Sequence, residues 1–204
     1  MSEAIWDDFE EPNPDCQFNY LLDTAAVNRF AEYRDWIEIA EKSLELGFHY
    51  YKTANQDYEL SGRGAKTYDV NCVPHVKITD NFRAKMLIFD EVLKRLKVKR
   101  LSSISSCMTN HWLLDATYRI LDDKSKVGEM TKEIFQFDEK TRTEKPFAQH
   151  YDAMSAEAAM YHGCVLVSDD TNLRDIVNKY FPERAIQTKD LIDFIQTQLS
   201  KNGY

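Results

Sequence analysis

Residues 162–175 read His-Gly-Cys-Val-Leu-Val-Ser-Asp-Asp-Thr-Asn-Leu-Arg-Asp. The apolar run Cys164-Val165-Leu166-Val167 stops at Ser168-Asp169-Asp170, and a helical pattern takes over. A short continuous apolar run between a glycine and turn formers is the pattern of a strand buried on both faces. Such a strand needs no pair of carboxylates at its end. Working outward, the alternation of strand and helix continues. HYDAMSAEAAMYHG reads as a helix ended by Gly163, TNLRDIVNKYF as a helix, RAIQT as a short strand and KDLIDFIQTQL as a last helix capped by Thr188. At the other end of the chain, Phe18-Asn19-Tyr20-Leu21-Leu22 has strand composition. Asp23-Thr24 then caps AAVNRFAEYRDWIEIAEKSLELG, a helix or helix pair closed by Gly47. FHYYKTA reads as a second strand and NQDYELSGRG as a short helix ending at Gly62. Strands alternating with helices imply an α/β fold whose mainly parallel sheet is covered on both faces.

The middle of the chain differs. From about residue 65 to 145 one Val-rich piece, YDVNCVPHVKI, is followed by NFRAKMLIFDEVLKRLKV, SCMTNHWLLDATYRILDD and VGEMTKEIFQF, all of helical pattern. This block reads as a helical insertion into one domain spanning residues 17–204. Residues 1–16, rich in Asp, Glu and Pro, bury little and read as a loose arm.

Composition narrows the function. The chain has 204 residues, 43% of them hydrophobic, enough to bury a substantial core. No stretch reaches the roughly 18 apolar residues of a membrane span, and the acidic start is unlike a secretory signal, so a cytoplasmic location with no membrane partner is expected. Cys16, Cys72, Cys107 and Cys164 lack C-x-x-C spacing, which indicates neither a zinc site nor a disulfide framework. A net charge of −8 argues against a broad basic surface for nucleic acid but leaves room for a local groove.

In an open parallel sheet the C-terminal ends of all strands lie on one edge, so residues just after different strands become neighbours. Asp23 follows YLL, Glu59 lies in the helix after HYYKT, and Asp170 follows VLVS. Three acids thus fall on one edge. Asp152, in the helix before the last long strand, is not placed there by simple topology.

Tyr20-Leu21-Leu22-Asp23-Thr24, Glu59-Leu60-Ser61-Gly62, Asp152-Ala153-Met154 with Ala158 and Ala159, and Leu166-Val167-Ser168-Asp169-Asp170-Thr171-Asn172-Leu173 resemble, in order, the four motifs of the PIN domain family of metal-dependent nucleases. The last two acids stand 18 positions apart, and the match covers the two ends of the chain but not its middle. The family commonly has Asn where this chain has Ala25, and Thr where Ser168 keeps the hydroxyl. The resemblance implies a three-layer α/β/α fold and supplies the placement of Asp152. It also implies Mg²⁺- or Mn²⁺-dependent cleavage of single-stranded RNA, with Asp23, Glu59, Asp152 and Asp170 as catalytic metal ligands and Ser168 and Asp169 supporting them. A toxin-like role, restrained by an antitoxin peptide or another protein partner laid over the acidic edge, is implied by the many family members of that kind. The insertion suits recognition of a specific RNA or partner, and a homo-oligomer is left open.

The chemistry suits these residue types. Clustered carboxylates raise one another's pKa unless a hard cation neutralises them, and Mg²⁺ prefers carboxylates while keeping several waters. Plainer readings stand beside each residue. Asp23 is also an ordinary helix cap, Glu59 a solvated helix residue and Asp169 a turn residue. Glu157, five residues after Asp152, lies about 140° round the helix and off the metal face. Lys94, Arg95, Lys97, Lys99 and Arg100 form the densest positive run, read either as a helix end favoured by the dipole or as an RNA-backbone contact. The five histidines, His49, His75, His111, His150 and His162, show no ligand spacing; His75 and His111 read as ordinary loop or helix residues, and His150, two before Asp152, as a candidate to reach a scissile phosphate, while Met154, Met160 and Tyr161 read as core. Two rival functions remain. One is a PIN-like scaffold that has lost catalysis and binds RNA or a protein. The other is a phosphoacceptor or phosphohydrolase domain, which needs a partner Lys and a second acid beside the first, and Asp23-Thr24-Ala25-Ala26-Val27 offers no such acid.

Overall fold

A computed structural model describes residues 10–54, 56, 60, 80–101, 105–106, 120–121, 124–141 and 148–204. Strand β1 (Asn19–Leu22) leads into α1 (Thr24–Glu32) and α2 (Arg34–Ser43), then β2 (His49–Thr53). Ala54, Gln56 and Leu60 are helical. The chain continues with α3 (Asp80–Arg95), β3 (Lys99–Leu101), β4 (Ser105–Ser106), β5 (Ile120–Leu121), α4 (Lys126–Thr141) and α5 (Ala148–Tyr161). It ends with β6 (Val165–Val167), α6 (Thr171–Tyr180), β7 (Ala185–Ile186) and α7 (Thr188–Lys201).

The central sheet has the order β3-β2-β1-β6-β7 with every pair parallel. Successive strands β1, β2 and β3 step one way from the centre, and β6 and β7 step the other way. Right-handed crossovers then require the two sets of connecting helices to lie on opposite faces. The packing follows that rule. Leu22, Tyr50 and Val167 join Val27 and Phe30 of α1, Ile37 and Ala40 of α2, Phe89 and Val92 of α3 and Leu191 and Ile195 of α7. On the other face Leu21, Tyr51, Leu101 and Leu166 join Met130 and Ile134 of α4, Ala153, Ala156 and Ala159 of α5 and Leu173 and Val177 of α6. The fold is therefore a three-layer α/β/α sandwich. Leu21 and Leu22 point to opposite faces and are both fully buried, which is why the strand is uninterrupted in its apolar character.

Local signals in the sequence act where they stand. Gly47 (φ 81°) and Gly163 (φ 70°) take the left-handed conformation that ends a helix before β2 and β6. The long helical stretch after β1 breaks at Tyr33 into two helices. Cys164 is fully buried and its thiol is pushed up to about 12 by desolvation, so it behaves as a small hydrophobe.

Some expectations are corrected. Lys99 and Arg100, read with the basic run as a helix end, lie with Leu101 in an edge strand, reached through a left-handed Lys97 (φ 48°) that turns the chain after α3. Ser106 and Ile120–Leu121, near the two ends of SCMTNHWLLDATYRILDD, do not continue a helix: Ser105–Ser106 and Ile120–Leu121 pair as parallel strands. Thr188 is not a cap: Gln187 holds the N-cap position of α7, and the Thr188 hydroxyl donates to Asp169 Oδ2 at 2.7 Å. Tyr161 is 39% exposed and packs edge-on against His162 instead of entering the core. Residues 10–16, the end of the segment expected to be a loose arm, are held in place. The Glu10 N–H donates to the Arg100 carbonyl at 3.0 Å, and the Asn19 side chain donates to the carbonyls of Asn13 and Cys16.

Candidate functional site

The registers Leu22↔Val167 and Leu21↔Leu166 bring the ends of β1 and β6 level. The next residues, Asp23 and Ser168, are therefore side by side at the C-terminal edge. This is where the strand order reverses, the crevice in which open parallel sheets bind their ligands. The Asp23 N–H donates to the Val167 carbonyl at 2.9 Å, and the Ser168 N–H to the Ile186 carbonyl at 3.0 Å, so both turns are fixed to the sheet.

Side chains complete the link. Ser168 Oγ donates to Asp23 Oδ2 at 2.8 Å and accepts from the Asp170 N–H at 3.2 Å. One hydroxyl thereby joins the two sequence-chosen acids. Asp170 is the N-cap of α6, its Oδ1 accepting from the Leu173 N–H at 3.1 Å. Asp23 occupies the same position in α1 with extended backbone, but its carboxylate makes no cap hydrogen bond. The N–H groups of Thr24 and Ala25 nevertheless face it closely enough to favour its charge. The plain cap reading thus describes Asp170 better than Asp23.

Asp23 is 4% exposed. Burial raises its pKa above the ordinary carboxylate value, the Ser168 hydroxyl and the two N–H groups oppose that rise, and the neighbouring Asp170 charge adds to it. A buried acid held beside a second acid is costly unless something neutralises the pair.

The other expected residues distribute unevenly. Asp169 turns away from the pair: its Oδ2 accepts from Thr188 and lies 3.6 Å from Arg29 Nε. It fastens the β6 turn to α7 and α1. Glu59 lies outside the described residues, as do His75 and His111. Asp152 is half-buried in the second turn of α5. A helix that precedes a parallel strand runs back from the C-terminal edge, so its early turns start on the side of Asp23 and Asp170. Simple topology therefore does not exclude Asp152 from this edge, contrary to expectation. Glu157 is fully buried and accepts from Thr131 Oγ1 at 2.8 Å, a link between α4 and α5 that agrees with its place off the acidic face. Among the described residues no group of three or more His, Cys, Asp or Glu side chains is arranged to hold a metal ion.

Two contributors escape sequence reasoning. Gln56, 1% exposed, accepts from the Thr53 N–H at 2.7 Å and donates to the Leu22 carbonyl at 2.6 Å. It bolts the end of β2 to the residue before Asp23. Arg174 donates through Nη1 to the Ser168 carbonyl at 2.8 Å and through Nη2 to Thr171 Oγ1 at 3.2 Å. Its one signal is the i, i+4 spacing from Asp170, which places it on the same side of α6.

No protein-family model and no curated protein matches the chain. Among solved structures, the crystal structure of PAE2754 from Pyrobaculum aerophilum is similar to it. The two are 19% identical with a TM-score of 0.42, covering 88% of this chain and 98% of that chain. That level of likeness assigns no activity, so the site rests on its own geometry. Among the described residues no helix is long and apolar enough to cross a membrane.

The basic run lies elsewhere. The end of α3 and the start of β3 sit at the N-terminal edge of the sheet, opposite Asp23 and Asp170, and the local partners agree. Arg95 pairs with Glu41 near the end of α2 and with Glu91, and Lys99 pairs with Glu10. Replacing Lys94, Arg95, Lys97, Lys99 and Arg100 by Gln is expected to leave the salt dependence of RNA binding unchanged, because the run lies at the edge opposite the acids and two of its charges, Arg95 and Lys99, are already paired with carboxylates. A slope flattened by several units in a filter-binding titration would restore the run as an RNA path.

Proposed function

We propose that the protein is a metal-dependent endoribonuclease acting on single-stranded RNA, of the PIN kind that its four motifs resemble. The observation that carries this reading is the Asp23–Ser168–Asp170 unit at the switch point of the sheet. A divalent cation fits the donor set: two oxygen-bearing acids lie together, one of them buried with a raised pKa, and Mg²⁺ is typically held by one or two carboxylates while it retains waters. Asp23 and Asp170 would hold Mg²⁺ or Mn²⁺ directly, with Glu59 and Asp152 as direct or water-mediated ligands by resemblance. When bound, the cation supplies Lewis-acid polarisation of the phosphodiester and activation of water.

The remaining work belongs to the chain. Ser168 fixes the Asp23 carboxylate through Oδ2 and the Asp170 backbone through Oγ, so the two acids keep their relative position as substrate arrives. The cap bond from Leu173 holds the Asp170 side chain in one rotamer. Gln56 resists separation of the β1 and β2 ends that would displace Asp23. Restraint by an antitoxin-like or other protein partner over this edge, cytoplasmic action and self-association belong to the same proposal.

Incubating the protein with single-stranded RNA and Mn²⁺ tests it. Cleavage abolished by a chelator and restored by added Mn²⁺ is expected. RNA that is bound but never cut would turn the reading to a catalytically inactive PIN-like scaffold.

A further inference from the structure

The acidic edge repels the polyanion it is proposed to cut, so a fixed positive charge is needed beside it. Two described arginines stand close to the β6 turn. Arg29 is compensated, with Glu32 at 2.9 Å and Asp169 at 3.6 Å. Arg174 is not: among the described residues no carboxylate forms an ion pair with it, and its two hydrogen bonds go to the neutral acceptors Ser168 O and Thr171 Oγ1. These bonds hold the guanidinium in place without using its charge, and they use two of its five N–H donors. Its anchor, Ser168, is the residue whose hydroxyl joins Asp23 to Asp170.

We infer that Arg174 binds a phosphate of the RNA next to the scissile bond. Arginine suits this role because its planar fork meets phosphate oxygens in pairs and stays charged at any working pH. Immobilisation by Ser168 and Thr171 means that little side-chain entropy is lost when the phosphate arrives. The site then has two parts, acids for the cation and a fixed arginine for the backbone. A buttress for the Ser168–Asp170 turn is the structural alternative, since the same hydrogen bonds serve it.

The inference rests on the proposed nuclease reading, and the experiment separates the two. Binding of a single-stranded RNA oligonucleotide is measured in Ca²⁺ across a salt series for the wild type, Arg174→Met and Arg174→Lys, beside melting curves with and without Mn²⁺. Arg174→Met is expected to weaken binding about tenfold, the size of one charge-assisted phosphate contact. It should lower the slope of log affinity against log salt by about 0.7, the single-strand increment for one phosphate. Arg174→Lys should keep the wild-type slope while losing part of the affinity, and the Mn²⁺ increment in Tm should be unchanged in both. Wild-type affinity and slope in Arg174→Met, in a protein that still cuts RNA, overturns the arginine assignment alone. A lowered Tm and a lost Mn²⁺ increment with an unchanged slope makes it a buttress. A wild type that neither binds nor cuts RNA overturns both readings.

Discussion

Asp170→Asn and Asp23→Asn are each expected to reduce RNA cleavage by at least about a hundredfold while leaving the fold intact, on the scale of removing a group that stabilises the reacting phosphate. The two substitutions should differ in stability. In Asp23→Asn the side-chain amide retains an oxygen to accept the 2.8 Å bond from Ser168, and a buried charge is removed whose burial and whose repulsion with Asp170 both raise the carboxyl pKa. Metal-free Asp23→Asn should therefore melt higher, and a gain of about 1 kcal/mol corresponds to roughly 2–4 °C for a chain of this size. Asp170→Asn removes the same repulsion but replaces the carboxylate oxygen that accepts from the Leu173 N–H by an amide oxygen, a weaker partner for a helix N-terminus. Its Tm should stay near wild type. Circular dichroism melts paired with a cleavage assay check both, and full activity in the two variants would dismiss this edge as the active site.

Much of the fold is legible because β1 and β6 carry unbroken apolar or aromatic runs, Tyr20-Leu21-Leu22 and Val165–Val167, and β2 centres on Tyr50-Tyr51, each between clear stop signals. Glycine is the one residue type that takes a positive φ without strain, so Gly47 and Gly163 mark helix ends with little ambiguity. Short elements are harder. Lys99–Leu101 forms a strand because it pairs in register with Tyr51–Thr53, a tertiary cause that three residues with two cations do not advertise. The same holds for Ser105–Ser106 and Ile120–Leu121, whose pairing partners lie 15 positions apart. Local pattern describes a residue's neighbours along the chain, and these strands are decided across it.

Of the candidate site, the Asp23 and Asp170 pairing follows from one rule about parallel sheets, and the structure joins the two through Ser168. Asp152 is a matter of direction, since a crossover helix begins at the edge where the preceding strand ends. Asp169 stands with the expected ligands only through adjacency in sequence. In the turn after β6 successive side chains diverge, so Asp169 meets Thr188 and Arg29 while Asp170 meets its own helix. Gln56 and Arg174 escape notice for a shared reason. Their partners are mostly backbone carbonyls and an N–H, groups that no sequence pattern marks.

Metal and pH together should give the second large effect. Without metal, the raised pKa of Asp23 means that the native chain holds its proton more tightly than the unfolded chain does. The stability this provides is fully present below the ordinary aspartate value of about 3.9 and is lost as pH rises through the raised native value. Metal acts in the opposite sense, since it needs the ionised pair. At neutral pH, Mn²⁺ or Mg²⁺ at about 100 times its dissociation constant should add about 2.7 kcal/mol by mass action, or roughly 5–10 °C. Ca²⁺ should stabilise as well yet support little cleavage, because its larger and looser shell positions water less strictly. Acidification should erase the increment of every ion, as protons compete for the same oxygens. Asp23→Asn should flatten both curves, losing the metal increment at neutral pH and the pH dependence that Asp23 contributes without metal. Melting curves across pH with each ion decide the matter. If millimolar Mn²⁺ leaves the wild-type Tm unmoved at neutral pH, the acids do not bind a cation, and the costly burial of Asp23 must be explained by an inactive scaffold whose edge meets a cationic protein partner instead.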